Sequence, residues 1–363
     1  MIRKVAFIGT GIMGAPIAGH ILDAGYELTV YNRSKEKAED LLARGAIWAG
    51  SPAEVACDAD VVLTMLGYPD DVEDVYLTTE GLIRTMRKGS WMVDLTTSSP
   101  QLARDIHDAA EVMDKHAVDC PVTGGESGAR AGTLTLMLGA REEEVAPLLP
   151  VLETFSDNVY YFDEPGAGQV AKLCNQVSLA SCMVGYAEAI SLAKQAGLDQ
   201  RKVVDFIMHG MGNSVALQRL APKSIDGDFR PGFLSEHMRK DVGLALAEAD
   251  DLDLTLPGTQ NAFDLYDVLC RVGGKRLGTQ AVSLLYESQE ETAKAGLDWS
   301  LLDEDEYAEG DAFDAADAAA DAAGADGAGA KGGRAAGGSA GAGSDAEPKY
   351  YHGVGYFRPH GGA

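Results

Sequence analysis

The chain has 363 residues, of which 46% are hydrophobic and 24% charged, a composition typical of a soluble globular protein with room for two domains. Its formal net charge of −26 disfavours nucleic acid and anionic membrane surfaces as partners. The five cysteines are scattered and form no CxxC pair, so neither a disulfide framework nor a metal site is indicated. Because no signal-like segment opens the chain and no apolar run is long enough to span a bilayer, we expect a cytoplasmic protein.

The first half of the chain alternates short apolar runs with helical patterns. In chain order, these patterns predict a strand over residues 5–9, a helix over 12–24, a strand over 27–32, a helix over 35–44, and strands over 60–65, 90–95 and 117–120. Strands interleaved with helices predict an α/β fold with a Rossmann-like, doubly wound parallel sheet that is covered on both faces.

The pattern changes near Pro165. From residue 169 to about 297 it is helical almost throughout, and the run 170–196 is long and apolar on most faces, as a central buried helix would be. We therefore expect a nucleotide-binding domain over residues 1–164 and an all-helical domain over residues 165–300.

The amino-acid composition changes again after the helical region. Residues 301–363 are acidic and rich in glycine and alanine, without a periodic apolar face. Such a segment cannot bury enough surface to offset the entropy of ordering it, which predicts a disordered tail. Aromatic residues near its end could dock a partner, although an inert tail is the more economical interpretation.

Residues 5–14 read VAFIGTGIMG, which places Gly9, Gly11 and Gly14 in GxGxxG spacing. The glycines permit a tight turn, close backbone approach to a pyrophosphate, and packing of the helix on the strand. The helix that follows directs its N–H groups and positive dipole end at the phosphates. A glycine-rich turn without a ligand is the alternative, but the preceding apolar strand and following apolar helix favour a dinucleotide site.

The end of the second predicted strand bears on the choice of cofactor. An acidic residue there would bind the ribose hydroxyls of NAD, but the chain has Asn32, Arg33 and Ser34. Arg33 could pair with the 2′-phosphate of NADP, and Asn32 or Ser34 could add hydrogen bonds, so we favour NADP over NAD. The alternative is that Ser34 only caps the next helix and Arg33 is solvated.

Four blocks of sequence resemble the 3-hydroxyisobutyrate dehydrogenase family, also called the β-hydroxyacid dehydrogenases, over residues 1–297. The blocks are FIGTGIMGAPIA, DLTTSSP (94–100), DCPVTGGESGARAGTLTLMLGA (119–140), and GAGQVAKLCNQ (166–176) paired with RKDVGLALAEA (239–249). The resemblance implies an NAD(P)-dependent oxidoreductase that acts on a small hydroxy acid or aldehyde acid. It also implies a homodimer or homotetramer built through the helical domain.

The resemblance also implies roles for individual residues. Those that match cofactor-binding positions are Gly9, Gly11, Ile12, Met13, Gly14, Met65, Leu66 and Thr96, while Lys240 matches a lysine that reaches both cofactor and substrate. Thr123, Gly124 and Gly125 match the loop that holds the substrate carboxylate, and Lys172 matches the catalytic lysine.

The chain departs from the family pattern at three places. Gly67 replaces a common proline, and His237 stands where an aliphatic residue is usual. Many members have asparagine four residues after the lysine, whereas this chain has Asn175 at three and Gln176 at four. The amide is retained with a different reach, which leaves the substrate contact open.

Lys172 also stands out on physical grounds. Its neighbours in the helical pattern are mostly apolar, and a lysine among them is unfavourable unless it is paired or has a task. Partial burial would lower its pKa toward neutrality, as proton exchange near pH 7 requires. Alternatively, the side chain could carry its ammonium to solvent and only cover apolar surface.

The supporting residues have both functional and structural interpretations. Asn175 and Gln176 can share a helix face with Lys172 and bind substrate, with Gln176 favoured on spacing, or they can be satisfied core amides. The Thr123–Gly125 segment offers a hydroxyl and two open N–H groups to a carboxylate, or it is only a turn. Lys240 and Asp241 could form an ordinary surface pair.

Three alternative functions remain open at this stage. One is an imine reductase on the same scaffold, although relatives of that kind usually lack the lysine. Another is a decarboxylating 6-phosphogluconate-type enzyme, which would be expected to have a longer helical domain. The third is a non-catalytic NADP-binding interaction protein in which the tail is the working part.

Overall fold

The computed structural model describes residues 2–302, and its first half contains a six-stranded, all-parallel sheet in the order β3-β2-β1-β4-β5-β6. The strands are β1 (Lys4–Ile8), β2 (Glu27–Tyr31), β3 (Ile47–Trp48), β4 (Val61–Thr64), β5 (Trp91–Asp94) and β6 (His116–Asp119). The helical segments between them are α1 (Gly14–Asp23), the 3₁₀ turn Lys35–Ala38, α2 (Glu39–Ala43), α3 (Pro52–Ala56), α4 (Pro69–Leu77), α5 (Leu82–Thr85) and α6 (Pro100–Val112). The predicted Rossmann-like parallel sheet is confirmed.

Burial explains why this sheet is parallel and central. All four residues of β4 are buried, as are the last four of β1, so buried side chains project from both faces of the sheet. Two separate clusters of buried side chains, one on each face, cover the sheet.

The helix predicted over residues 35–44 is wrong in part. The segment starts as a 3₁₀ turn and becomes α-helical only at Glu39. Ser34 has extended backbone before this turn, but its side chain makes no capping hydrogen bond. Without that cap, the first turn tightens to i→i+3 bonds, as unsatisfied helix ends often do.

A second, three-stranded sheet follows β6 and was missed by the sequence patterns. Its strands are β7 (Val122–Thr123), β8 (Leu134–Leu138) and β9 (Ser156–Tyr161), with α7 (Gly125–Ala131), α8 (Glu142–Val145) and α9 (Leu149–Leu152) between them. β7 runs antiparallel to β8, and β9 runs parallel to it. The Thr123–Gly125 segment, predicted as a substrate loop, therefore starts at the end of a short strand.

The regular elements that follow β9 in the described residues are all helical, as predicted, apart from one isolated bridge between Leu234 and Gly278. The α-helices are α10 (Ala167–Gln195), α11 (Gln200–Met208), α12 (Val215–Ile225), α13 (Ser235–Asp251), α14 (Pro257–Arg271) and α15 (Gln289–Lys294), and the 3₁₀ segments are Gly274–Arg276, Thr279–Tyr286 and Trp299–Leu302. None of the helices within residues 2–302 is long and apolar enough to cross a membrane. Of the tail predicted over residues 301–363, the first two residues belong to the last 3₁₀ segment, and residues 303–363 lie outside the described residues.

The long helix α10 is central but not buried on all sides. One face packs into the core of the helical half through side chains such as Met183, Ala187 and Ile190. The opposite face is exposed at Cys174, Ser178, Ser181, Gly185 and Leu192. The prediction of burial on most faces therefore holds for one side of the helix.

Candidate active site

The strand order reverses between β1 and β4, and the loops that leave these two strands meet there. Gly9 follows β1 directly with φ of 99°, and a side chain at this position would overlap the carbonyl oxygen of Met65. A side chain at Gly14 would overlap the carbonyl of Gly9. In open α/β sheets, ligands bind in the crevice at such a reversal, outside the carboxyl ends of the strands.

The turn after β1 fits a dinucleotide pyrophosphate. A Cβ placed on Gly11 meets no atom within 4 Å, so the backbone there is open to a close ligand. The first turn of α1 carries no acidic side chain that would oppose a phosphate. Met13 is the residue before this helix, and the side chain of Ile12 is 45% exposed beside the turn.

The residues that follow β2 differ in how accessible their side chains are to a cofactor. The Asn32 Oδ1 accepts a hydrogen bond from the Thr10 N–H at 3.2 Å, and its Nδ2 donates to the Ser34 carbonyl at 2.9 Å. Asn32 therefore braces the phosphate turn. The Arg33 Nη1 lies 3.2 Å from Asp71 Oδ1. Because the Arg33 side chain is 82% exposed, the rest of its guanidinium is accessible to an anion.

Thr96 holds the loop after β4 in place. Its Oγ1 accepts a hydrogen bond from the Leu66 N–H at 2.9 Å, and its own N–H donates to Asp94 Oδ1 at 3.0 Å. Burial raises the pKa of Asp94 to about 6 against the hydrogen bonds that it accepts from Thr96 and Thr64. The hydroxyl of Thr96 is thus part of a buried network beneath the crevice.

The first turn of α10 is fixed to the sheet by Asp119. Its Oδ1 accepts a hydrogen bond from the Gly166 N–H at 2.9 Å, and its Oδ2 accepts one from the Gln169 N–H at 2.8 Å. The buried Gln169 side chain in turn donates to the Thr96 carbonyl at 2.8 Å and accepts from the Ser98 N–H at 2.9 Å. The helix that carries Lys172 is therefore anchored at the carboxyl ends of β5 and β6.

Lys172 lies one turn further along α10, where its side chain is only 7% exposed. Its Nζ donates to the Val122 carbonyl at 2.9 Å, so the ammonium does not extend into solvent. Burial lowers the pKa of Lys172 to about 8; nearby Asp241 opposes this shift and Lys240 adds to it. The group can exchange a proton near neutral pH.

A line of polar groups connects α10 to α13. The Asn175 Nδ2 donates to Gln176 Oε1 at 2.8 Å, and the Gln176 Nε2 donates to Asp241 Oδ2 at 2.5 Å. Both polar side-chain atoms of Gln176 are thereby hydrogen-bonded, whereas these bonds leave the Oδ1 of Asn175 available to a ligand. The spacing argument favoured Gln176 as the substrate amide, but the bonding favours Asn175.

Lys240 and Asp241 are not an ordinary surface pair. Their side chains are 12% and 2% exposed, and Lys240 Nζ lies 3.0 Å from Asp241 Oδ1, in an ion pair that is not aligned as a hydrogen bond. Lys240 also donates to the Thr97 carbonyl, which follows β5. The surface interpretation is therefore wrong, because α13 packs this pair against the crevice.

The segment after β6 places an open backbone turn beside the lysine. Thr123 is half-buried at the end of β7, and Gly124 and Gly125 have φ of 131° and 63°. A Cβ at Gly125 would meet nothing within 4 Å, so an anion can approach this turn. Because Lys172 bonds the carbonyl of Val122, the turn and the lysine are direct neighbours.

Comparison with known proteins identifies the family of the chain. The family model for the NAD-binding domain of 6-phosphogluconate dehydrogenase matches residues 4–162. That for the NAD-binding of NADP-dependent 3-hydroxyisobutyrate dehydrogenase matches residues 166–286. The chain belongs to the 3-hydroxyisobutyrate dehydrogenase family. It is therefore a nicotinamide-nucleotide-binding dehydrogenase.

The match to this chain extends over almost the whole length of individual relatives. An uncharacterised oxidoreductase of Bacillus subtilis is 41% identical over 79% of this chain and 99% of its own. The NAD-dependent L-serine dehydrogenase of Pseudomonas aeruginosa is 35% identical over 78% of this chain and 98% of its own. The structure of Mycobacterium tuberculosis 3-hydroxyisobutyrate dehydrogenase with L-serine has a TM-score of 0.73 and 32% identity, and it covers 79% of this chain and 100% of its own.

Sequence reasoning missed several residues of the site in this member of the 3-hydroxyisobutyrate dehydrogenase family. Asp119, Gln169 and Asp241 were given no functional role, although all three lie inside blocks that carry the family resemblance. The available signal was a polar side chain inside an apolar run, which indicates a buried hydrogen-bonded group.

Proposed function

We propose that the protein transfers a hydride between a nicotinamide cofactor and a small β-hydroxy acid, or the corresponding semialdehyde, with Lys172 as general acid and base. The proposal rests on one observation above all. A lysine with a pKa of about 8 is buried beside the open turn after β7, on a helix whose first turn is bonded to the loop after β5. The bound nicotinamide supplies the hydride chemistry.

Lys172 would handle the proton that accompanies the hydride. In oxidation its neutral amine accepts the proton of the substrate hydroxyl, and in reduction its ammonium returns a proton to the carbonyl oxygen. Because its pKa is about 8, both forms are available near neutral pH. The Val122 carbonyl orients the Nζ, so little rearrangement is needed when the proton moves.

The substrate carboxylate would bind at Thr123, Gly124 and Gly125. The threonine contributes a hydroxyl, and the two glycines contribute N–H groups without a side chain in the way. Asn175 would offer its free Oδ1 to the substrate hydroxyl, while Gln176 and Asp241 hold the Asn175 amide in position.

We further propose NADP as the preferred cofactor. No carboxylate follows β2, and the exposed guanidinium of Arg33 can pair with a 2′-phosphate. Exchange of Arg33 for alanine should then raise the KM for NADP about tenfold or more and change the KM for NAD little. A matched loss with both cofactors would count against the role of Arg33.

The experiment that tests the proposed function is a panel of small β-hydroxy acids, aldehyde acids and one cyclic imine, each assayed with NAD(H) and NADP(H) by absorbance at 340 nm. We expect turnover of at least one hydroxy acid or semialdehyde, with NADP(H) preferred. Turnover of the cyclic imine alone would favour the imine reductase alternative. Cofactor binding without turnover of any compound would contradict the proposal.

A further inference from the structure

Two buried carboxylates lie side by side at the ends of neighbouring strands. Asp94 is the last residue of β5 and Asp119 the last of β6, and the two are partners in the parallel register. Side chains of such partners leave the same face of a sheet, about 5 Å apart. Because their exposed fractions are only 7% and 5%, two like charges are held close together and away from solvent.

The hydrogen bonds that these carboxylates accept leave part of their capacity unused. Asp94 Oδ1 accepts from the Thr64 hydroxyl at 2.8 Å and from the Thr96 N–H at 3.0 Å, while each oxygen of Asp119 accepts one backbone N–H. Two bonds fill about half of the acceptor positions of an ionised carboxylate. Burial, and in addition the charge of Asp119, raise the pKa of Asp94 to about 6.

A small cavity lies beside the two carboxylates. It gives the centre of a water molecule about 10 Å³ of space, which is close to what one buried water needs. Among the residues that line it, those with polar side chains are Asp94, Asp119, Ser98 and Tyr76, and the others are apolar residues of α4, α6 and β6. The cavity is therefore small, and polar on the side of the carboxylates.

The Ser98 hydroxyl is the group that indicates a ligand. Ser98 is 2% exposed, and its Oγ has no hydrogen-bond partner within residues 2–302. Its backbone N–H donates to Gln169 Oε1 at 2.9 Å, which holds the residue in place at the cavity. A buried hydroxyl without a partner is unfavourable, so a ligand that accepts its hydrogen bond would stabilise the protein.

We propose that this cavity binds one water molecule, which accepts a hydrogen bond from the Ser98 hydroxyl and donates its two hydrogens to Asp94 and Asp119. Water matches the site in size and in chemistry, since it donates twice and also accepts. A divalent metal ion would need more oxygen ligands than the cavity offers. Within residues 2–302, no group of three or more His, Cys, Asp and Glu side chains could hold one.

The bound water joins two supports of the candidate active site. Asp94 holds the N–H of Thr96, whose hydroxyl positions Leu66, and Asp119 holds the first turn of α10. By donating to both carboxylates, the water offsets their repulsion and ties the loops after β4 and β5 to α10. Ser98 orients the water and is thus a positioning residue, whichever substrate the enzyme turns over.

A crystal structure of the full-length protein, grown from sodium salts without potassium or ammonium, tests the site directly. We expect one density peak in the cavity, about 2.7–3.0 Å from Ser98 Oγ and from one oxygen of each carboxylate. Contacts of about 2.0–2.6 Å would identify a metal ion and overturn the proposal. A cavity without a peak, or a Ser98 hydroxyl bonded directly to either carboxylate, would overturn it as well.

The variants Ser98→Val and Ser98→Thr test the role of the water, because their side chains have the same shape and only threonine keeps the hydroxyl. Loss of the hydroxyl leaves the carboxylates less well hydrogen-bonded, which raises the pKa of Asp94 further. A carboxyl group with a raised folded pKa lowers stability above that pKa and not below it. The melting temperature of the valine variant should therefore lie about 2–4 °C below that of the threonine variant at pH 8, and the gap should close toward pH 5.

Other titratable groups around the cavity do not produce this gap. Burial raises the pKa of Tyr76 and of Cys120 well above their ordinary values, so both are neutral from pH 5 to 8. His107 and Arg104 on α6 are the same in both variants, so their contributions cancel. Burial also raises the pKa of Asp119, so the gap closes in the same direction whichever carboxylate takes the proton. A gap that is absent at pH 8, or as large at pH 5 as at pH 8, would overturn the positioning role of Ser98.

Discussion

At the scale of single residues, the chemistry depends on the surroundings of one lysine. An exposed lysine titrates near 10.5, but Lys172 is buried and its pKa falls to about 8. Asp241 limits this fall, since its carboxylate stabilises the ammonium form. The ion pair of Asp241 with Lys240 and its bond to Gln176 fix the distance over which it acts.

The pH profile should report this shifted pKa. The base form of Lys172 is present above pH about 8, so kcat/KM for oxidation should rise through that pH and then level off. The acid form is present below it, so the reverse reaction should fall through the same pH. Initial rates in both directions between pH 6 and 10.5 check this, and a limb near 10.5 would mean that the titrating group is not a buried lysine.

Sequence reasoning could identify some of these residues and not others. The apolar neighbours of Lys172 are adjacent in the chain, so burial was predictable from the pattern. Asp119, Gln169 and Asp241 act through partners 47 to 73 residues away, and no local pattern encodes such pairings. The spacing that favoured Gln176 over Asn175 likewise carries no sign of the bond that Gln176 makes to Asp241 on another helix.

At the scale of elements, the position of α10 relative to the sheet depends on a buried carboxylate. Both oxygens of Asp119 accept N–H groups of the first turn, so the carboxylate caps the helix as well as joining it to β6. Lys172 follows one turn later. A shift of this helix end would move the Nζ away from the Val122 carbonyl.

Asp119→Asn should therefore impair catalysis more than cofactor binding. Asparagine offers one oxygen and turns an NH₂ group toward an N–H donor, which costs about 1–3 kcal/mol of stability and loosens the helix end. We expect kcat to fall about tenfold or more, since a small misplacement of a catalytic group has effects of this order. Steady-state kinetics and cofactor titration of the folded variant check this, with exposed Asp108→Asn on α6 as the control. An unchanged kcat would show that α10 does not need this anchor.

The elements themselves were predictable where the pattern was long and regular. The alternation of strands and helices gave the parallel sheet, and the helical periodicity gave the second half of the chain. Strand β3 has only two residues, and β9 has two consecutive exposed polar residues, Asp157 and Asn158. Neither strand therefore shows a clear apolar pattern. Leu134, Leu136 and Leu138 do alternate, but β8 pairs with strands on either side that are weak in sequence.

At the scale of the whole molecule, the exposed face of α10 is a candidate interface with a second copy of the chain. Small side chains line this face on a helix whose opposite side is packed, and a homodimer or homotetramer built through it is our proposal. A Cβ at Gly185 meets nothing within 4 Å, so a large residue there fits a single chain. Gly185→Arg should lower the mass measured by light scattering to that of one subunit.

The control for this substitution is Gly258→Arg. Gly258 is also an exposed helical glycine with no atom within 4 Å of a Cβ, but it lies at the start of α14. The control should keep the wild-type mass. If Gly185→Arg assembles like the wild type, the subunits meet through another surface.

Removal of residues 303–363 tests whether the catalytic machinery ends with the helical half. Every proposed site residue lies within residues 2–302. Truncation after Leu302 should therefore leave kcat/KM within about twofold of the full-length value. A large loss in a folded, truncated protein would favour a working role for the acidic tail.

The most direct test of the account is Lys172→Met, which removes the ammonium and fills its apolar space. If the lysine carries the proton, kcat should fall by about 10²- to 10⁴-fold while the cofactor still binds with its original affinity. Lys194→Met, an exposed lysine near the end of the same helix, should leave kcat unchanged. A Lys172→Met variant with wild-type kcat would contradict the proposed mechanism.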